Sequence, residues 1–199
     1  MKKNQKPWLA LPLLLCLLAG CGKQEAGTEQ QVREYYNGLE HFSTTVTVTA
    51  DSGVIMEYQL AIEKTSEQSS ATVVEPQEIA GVRCVISENG TKLQYDDAEL
   101  ETLLPAISGF TPVDCVDGLL NSLAGGVPTE WGKEEKEGIS CLALTYELDA
   151  EGRAAAKRVW LQEDTLEPVC AEWFLEGDRI LHAVFHNGEK DGQTEGAGA

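Results

Sequence analysis

Cys21 is the position in this chain best placed for covalent chemistry. Leu18-Ala19-Gly20-Cys21 closes an apolar run from Trp8 to Leu18, broken only by Pro12, that follows the basic start Met1-Lys2-Lys3 and Lys6. A positive start, a short apolar stretch and a small-residue exit make a secretory signal with its cleavage site. Cys21 stands at the point where such a signal would be cut. Cys16 departs with the signal. Cys84, Cys115, Cys141 and Cys170 remain, with no Cys-x-x-Cys pair and no zinc spacing. Each lies in an apolar segment, so they read as buried free thiols or as one or two disulfides, for which three complete pairings exist.

Other reactive groups are sparse or scattered. His182 and His186 are four residues apart on a predicted strand and share a face, but no Cys or acid completes a metal set, and His41 falls at a helix–strand junction. No Gly-x-Ser-x-Gly, phosphate loop or His-Glu-x-x-His occurs. The carboxylates are numerous, yet no pair stands out for glycosidase chemistry. The chain therefore reads as non-enzymatic, with no catalytic residue, no metal and no cofactor.

The Leu-Ala-Gly-Cys ending resembles the lipobox of a bacterial lipoprotein signal. A transmembrane anchor is the alternative, but a span needs about 20 apolar residues, and this run is shorter. Residues 1–20 are thus expected to leave as a signal peptide, with Cys21 lipidated on the outer face of the cell membrane. One acyl chain holds a protein only marginally, whereas two or more hold it without a spanning helix. The signal carries three lysines and no acid, so its removal takes the net charge from −18 to −21. Such a chain does not neutralise nucleic-acid phosphates and is repelled by anionic lipid. Its membrane contact should therefore come through Cys21, with residues 21–27 as a short polar tether. The acid excess also serves solubility.

The elements that follow fit one domain over residues 28–187. Thr28 and Gln31 form a capping box, and Val32, Tyr35, Tyr36 and Leu39 make one helical face that Gly38 stops. From Phe42 the apolar period drops to two. Val46 and Val48, then Met56, Tyr58 and Leu60, flank an Asp51-Ser52-Gly53 turn, the pattern of a β-hairpin. Val82, Cys84 and Ile86 alternate up to Asn89-Gly90, another hairpin turn. A short helix is expected from Ala98 to Leu104, stopped by Pro105. A second helix is expected from Thr111, with Val116, Leu119, Leu120 and Leu123 as its apolar face and Gly125-Gly126 as its end. Strands return from Trp131 to Phe185, and residues 188–199 read as a disordered tail. The sum is mainly β within an α+β class: about ten strands, an N-terminal helix and a mid-chain helical insertion. A twisted antiparallel sheet of that size curls toward closure.

These residues resemble the LolA/LolB-like superfamily, which carries or receives lipoproteins and other lipids in bacterial envelopes. The likeness is carried by Arg158-Val159-Trp160-Leu161-Gln162-Glu163-Asp164-Thr165-Leu166-Glu167-Pro168, by Glu172 to Arg179, by Val184-Phe185-His186-Asn187 and by Tyr35-Tyr36-x-x-Leu39-x-x-Phe42, and it spans about residues 30–187. It implies an incomplete antiparallel β-barrel with helices as a lid over an apolar cavity. The family's soluble carrier has no lipid anchor. An anchored chain is closer to a membrane-bound acceptor, or to lipoprotein homologues that act in spore germination in Gram-positive bacteria.

Val46, Val48, Met56, Tyr58, Leu60, Trp160 and Trp173 are the residues that would line such a cavity, and the same residues would equally fill a core. Two functions follow. In one, a membrane-anchored envelope lipoprotein binds lipid, acyl chains or a lipoprotein in its cavity. In the other, the core is filled and the surface recruits an envelope protein, as a structural or regulatory lipoprotein.

Overall fold

The period-two alternation folds into antiparallel ladders because each strand has one apolar side to bury and one polar side to leave in water. The computed structural model describes residues 26–102, 107–150 and 152–186. They form helix α1 (Ala26–Asn37), strands β1 (His41–Asp51), β2 (Ile55–Thr65) and β3 (Gln68–Glu75), a 3-10 turn over Gln77–Ile79, strands β4 (Arg83–Ser87), β5 (Gly90–Tyr95) and β6 (Ala98–Thr102), helix α2 (Cys115–Gly125), and strands β7 (Glu130–Lys136), β8 (Ile139–Ala150), β9 (Arg153–Gln162), β10 (Pro168–Leu175) and β11 (Asp178–His186). The strands make a single sheet in the order β6-β5-β4-β3-β2-β1-β11-β10-β9-β8-β7, antiparallel throughout and unclosed. This is the mainly β, α+β open barrel that the alternation implied. Cys21, the signal segment and the tail from 188 lie outside the described residues.

Three local expectations need correction. Ala98 to Thr102 is a strand and not a helix. Alanine, glutamate and leucine favour helix intrinsically, but Ala98, Leu100 and Thr102 also alternate with Glu99 and Glu101. Pairing with β5, Leu93 opposite Leu100, satisfies the backbone where a seven-residue helix could not repay its nucleation, and residues 103–104 lie outside the described residues. That adds an eleventh strand to the ten expected. Helix α1 begins at Ala26, ahead of Thr28, so Thr28 lies inside the helix. Helix α2 begins at Cys115 rather than near Thr111. Thr111 instead starts a turn whose carbonyl accepts from the Cys115 N–H at 2.9 Å.

The core lies on the concave face, between sheet and helices. Val46 of β1 stands opposite Leu60 of β2 and Phe185 of β11, and Leu60 opposite Val73 of β3. All four are buried in one cluster with Val32 and Tyr36 of α1 and with Val116, Leu119, Leu120 and Leu123 of α2. Each fully buried aliphatic side chain contributes about 1.5–3 kcal/mol. A smaller cluster of Cys141, Ala143, Trp160, Val169 and Cys170 is separate from it.

Candidate functional site

Helix α2 lies over the concave face as a lid. Its apolar face turns to the sheet, and its polar face is tied to two strands far apart in the sheet order. From β2, Lys64 Nζ donates to Asp117 Oδ1 at 2.5 Å and to Asn121 Oδ1 at 2.9 Å. From β9, Lys157 Nζ donates to the Gly118 carbonyl at 2.9 Å and to Ser122 Oγ at 3.3 Å. The C-terminal end of the lid is held by α1: Asn37 Nδ2 donates to the Ala124 carbonyl at 2.7 Å, and Arg33 Nη2 donates to that of Gly126 at 3.2 Å. Helix α1 is itself pinned by the Tyr36 hydroxyl, which donates to the Leu166 carbonyl at 2.7 Å.

Lys157 is the unexpected residue of this region. It is buried, and it stands between Trp173 of β10 and Tyr146 of β8 in the sheet register. Its Nζ lies 5.4 Å from the centre of the Phe110 ring. Burial pushes its pKa below the usual lysine value, and the nearby Asp114, Cys115 and Asp117 offset that only in part. Asp114 is buried just ahead of α2, and its carboxylate does not cap the helix. It turns back to accept from the Gly109 N–H at 2.7 Å, the Thr111 N–H at 2.7 Å and the Thr111 hydroxyl at 2.6 Å. The loop folded this way brings Gly109 against Gly118. An added Cβ on Gly118 would stand 2.6 Å from Gly109 Cα and 3.2 Å from Lys157 Nζ. Two glycines thus let the lid, its leading loop and the lysine meet at van der Waals distance. A signal for Lys157 exists in the sequence: it is the one charged residue in the alternating row Ala155, Lys157, Val159, Leu161.

The residues expected to line a cavity are divided by the structure. Val46, Val48, Leu60 and Trp173 come together in the main cluster, wholly buried, with Tyr58 half-buried against it. Met56 is exposed near the tip of the β1–β2 hairpin. Trp160 does not join them. It belongs to the smaller cluster, where its Nε1 donates to Glu134 Oε2 at 2.8 Å. Lys136 Nζ stands 4.3 Å and Arg158 Cζ 4.9 Å from its ring centre, a cation–π arrangement on both counts. Trp173 Nε1 is buried with no hydrogen-bond partner, an arrangement that costs about 1–3 kcal/mol.

Among the described residues no group of three or more His, Cys, Asp and Glu side chains is placed to hold a metal ion. His186 Nε2 lies 2.8 Å from Thr47 Oγ1, and His182 has its pKa lowered by burial. Cys84, Cys115, Cys141 and Cys170 are free and buried. Burial pushes the Cys84 and Cys170 thiols up to about 11, and raises Cys115 further. A thiol held protonated is a poor nucleophile. No described helix is long and apolar enough to cross a membrane.

A small space of about 40 Å³ lies between α1, α2 and the start of the sheet, lined by Tyr36, Leu39, Phe42, Lys64, Leu120, Asn121 and Ala124. A larger groove of about 870 Å³ lies at the ends of β8, β9 and β10, lined in part by Leu148, Ala154, Ala156 and Phe174 together with Glu147 and Asp149.

No protein-family profile and no curated protein matches the sequence. Solved structures do match the fold. An uncharacterized conserved protein from Thermus thermophilus is 12% identical, with 83% of this chain and 89% of that one covered and a TM-score of 0.50. A LolA superfamily protein from Nitrosomonas europaea is 12% identical over 80% of this chain and 91% of its own, with a TM-score of 0.43. A chain of the CwlD amidase–GerS lipoprotein complex from Clostridioides difficile is 15% identical over 95% of this chain and 99% of its own, with a TM-score of 0.40. At such identities the likeness is one of fold.

Proposed function

We propose that this chain is a lipid-anchored envelope protein that works without covalent chemistry, by binding a protein partner through its surface. The observation that carries this reading is the filled interior. Trp173, Leu119 and Leu123 occupy the concave face with less than 2% exposure, where a resident acyl chain would have to lie. A face already packed by its own lid has apolar area to offer only after the lid leaves. The anchor rests on Leu18-Ala19-Gly20-Cys21, and the charge of −21 after cleavage makes the lipid the natural membrane contact.

Native mass spectrometry of the protein extracted from membranes tests the binding mode. A mass equal to the lipidated chain alone, with no uptake of fluorescent fatty acid, is the expected outcome. Stoichiometric extra lipid would replace this reading with that of a carrier. The anchor is tested separately by labelling with an alkyne fatty acid: Cys21→Ala should abolish the label, and a label that persists refutes the assignment.

The carrier reading keeps one observation in its favour. The ties from Lys64 and Lys157 to α2 are polar, so the lid could be released without unravelling the sheet. In that case fatty-acid uptake should appear when Lys64→Ala and Lys157→Ala are combined, and not in the parent protein.

A further inference from the structure

Five hairpin turns share one end of the sheet. The register of β1 with β2 puts Asp51 opposite Ile55 there, and the same end holds the β3–β4, β5–β6, β8–β9 and β10–β11 turns. Hairpin tips of a soluble protein are ordinarily polar. Three of the five, the β1–β2, β3–β4 and β5–β6 turns, carry exposed large apolar side chains: Val54 at 69%, Ile55 at 71%, Met56 at 45%, Ile79 at 38% and Tyr95 at 50%. Neighbouring tips stand two strand spacings, about 10 Å, apart. Gly81 of the β3–β4 turn lies so close to Tyr95 that an added Cβ would sit 3.7 Å from its Cε2. The row is continued by the groove at the ends of β8, β9 and β10, with Phe174 and Leu148 in its wall. Scattered apolar surface residues need no explanation, whereas a band gathered at one end, edged by polar groups, marks an interaction site.

Charge decides the kind of partner. Asp51, Asp96, Asp97, Asp149, Glu176 and Asp178 sit in or beside these same turns, and none of them enters an ion pair with a described residue. Arg83, Arg153 and Arg179 also lie at this end, but Arg83 and Arg179 are paired with Glu63 and Glu172, so the carboxylates outnumber the cations there; Lys64 and Lys136 border turns at the opposite end, and Lys64 and Lys133 are paired with Asp117 and Glu163. An apolar band set among unpaired carboxylates repels anionic lipid, and it repels a second copy presenting the same end. It complements a surface whose apolar patch is ringed by lysine and arginine.

We infer that the hairpin-turn end of the sheet, from Tyr95 through Ile55 to the groove at Phe174, is the docking surface for a protein partner with a basic-rimmed apolar patch. This rests on the partner-binding reading above and locates it.

A synthetic peptide alternating lysine and leucine is the probe, titrated against the full chain by fluorescence anisotropy. Ile55→Ser and the pair Asp96→Asn with Asp97→Asn should each weaken binding about tenfold. Ile139→Ser and the pair Glu88→Gln with Glu137→Gln, at the opposite end, should leave it unchanged. Equal losses from both ends would mean general attraction to an acidic protein and would overturn the inference. So would a dimer, seen by light scattering, that Ile55→Ser dissociates, or equal binding to phosphatidylglycerol vesicles. These results leave the anchor and the filled core untouched, and extra lipid in the native mass leaves the turn-end comparison untouched, so the two readings fail separately.

Discussion

Lys157 Nζ donates to the Gly118 carbonyl at 2.9 Å, the shorter of two bonds that tie the only buried lysine among the described residues to the helix that closes the concave face. A charged group taken out of water is expensive unless its donors are met. Here the ammonium is met by a carbonyl and a hydroxyl rather than by a touching carboxylate, so the tie is held at a cost that depends on protonation.

That cost gives a pH signature. Burial lowers the folded-state pKa of Lys157, while the unfolded value is about 10.4. Below both values the penalty of the buried charge is fully present. It is relieved as pH rises through the window between them, so this group's contribution to stability increases toward alkaline pH. Tyr36 and Tyr146 act oppositely, because burial raises their pKa values and their contribution is lost as pH rises past the unfolded tyrosine value. Comparing the parent with Lys157→Met cancels the tyrosines. In urea unfolding from pH 7 to pH 10, the parent should gain stability relative to the variant. A difference that stays flat with pH would remove the buried-charge account.

The Gly109–Gly118 contact sets a steric limit on the lid. Gly118→Ala places a methyl 2.6 Å from Gly109 Cα, closer than atoms tolerate, and overpacking of this kind costs about 1–3 kcal/mol. Gly125→Ala, with nothing within 4 Å of the new methyl, should be neutral or stabilise the helix by up to about 1 kcal/mol. Thermal or urea unfolding of the two variants checks the contrast, and similar shifts for both would count against close packing at Gly118.

Trp173 and Met56 came from the same reading of the sequence and should behave differently. Trp173→Ala removes a wholly buried indole and should cost about 3–5 kcal/mol. Met56→Ala removes a side chain that is largely in water and should stay within about 0.5 kcal/mol. Equal costs would show that Met56 is packed in solution.

The four buried thiols should be inert. With Cys84 and Cys170 pushed up to about 11, their thiolate fraction at pH 8 is negligible, and Cys115 is fully inaccessible. Ellman's reagent should find none of Cys84, Cys115, Cys141 and Cys170 in the native protein at pH 8 and all four in denaturant. Rapid reaction of any one without denaturant would place that thiol at the surface.

The hairpins were legible because alternation and turn residues are local signals, which also brought Val46, Val48, Leu60 and Trp173 to one side. Strand Ala98–Thr102 was obscured by residues whose intrinsic preference is helical, and only its partner strand decides the outcome. The separation of Trp160 from Trp173 was not readable from adjacency of strands, because which face each presents depends on the register, which sets Trp160 opposite Cys170 and Trp173 opposite Lys157. The tie between Lys157 and Gly118 spans 39 residues and follows from how far the sheet curls, which no local pattern encodes. The apolar hairpin tips were visible only as single residues until the topology put them at one end.

The pairing of β1 with β11 has a consequence in time. The sheet's two wings, β1 to β6 and β7 to β11, meet in the ladder between the first strand and the last. A chain made amino end first cannot form that seam until His186 has followed. Until then both wings carry open edges in the middle of the future sheet. Contacts of such long sequence separation form slowly, so with this strand order the seam is the last part of the sheet that can close.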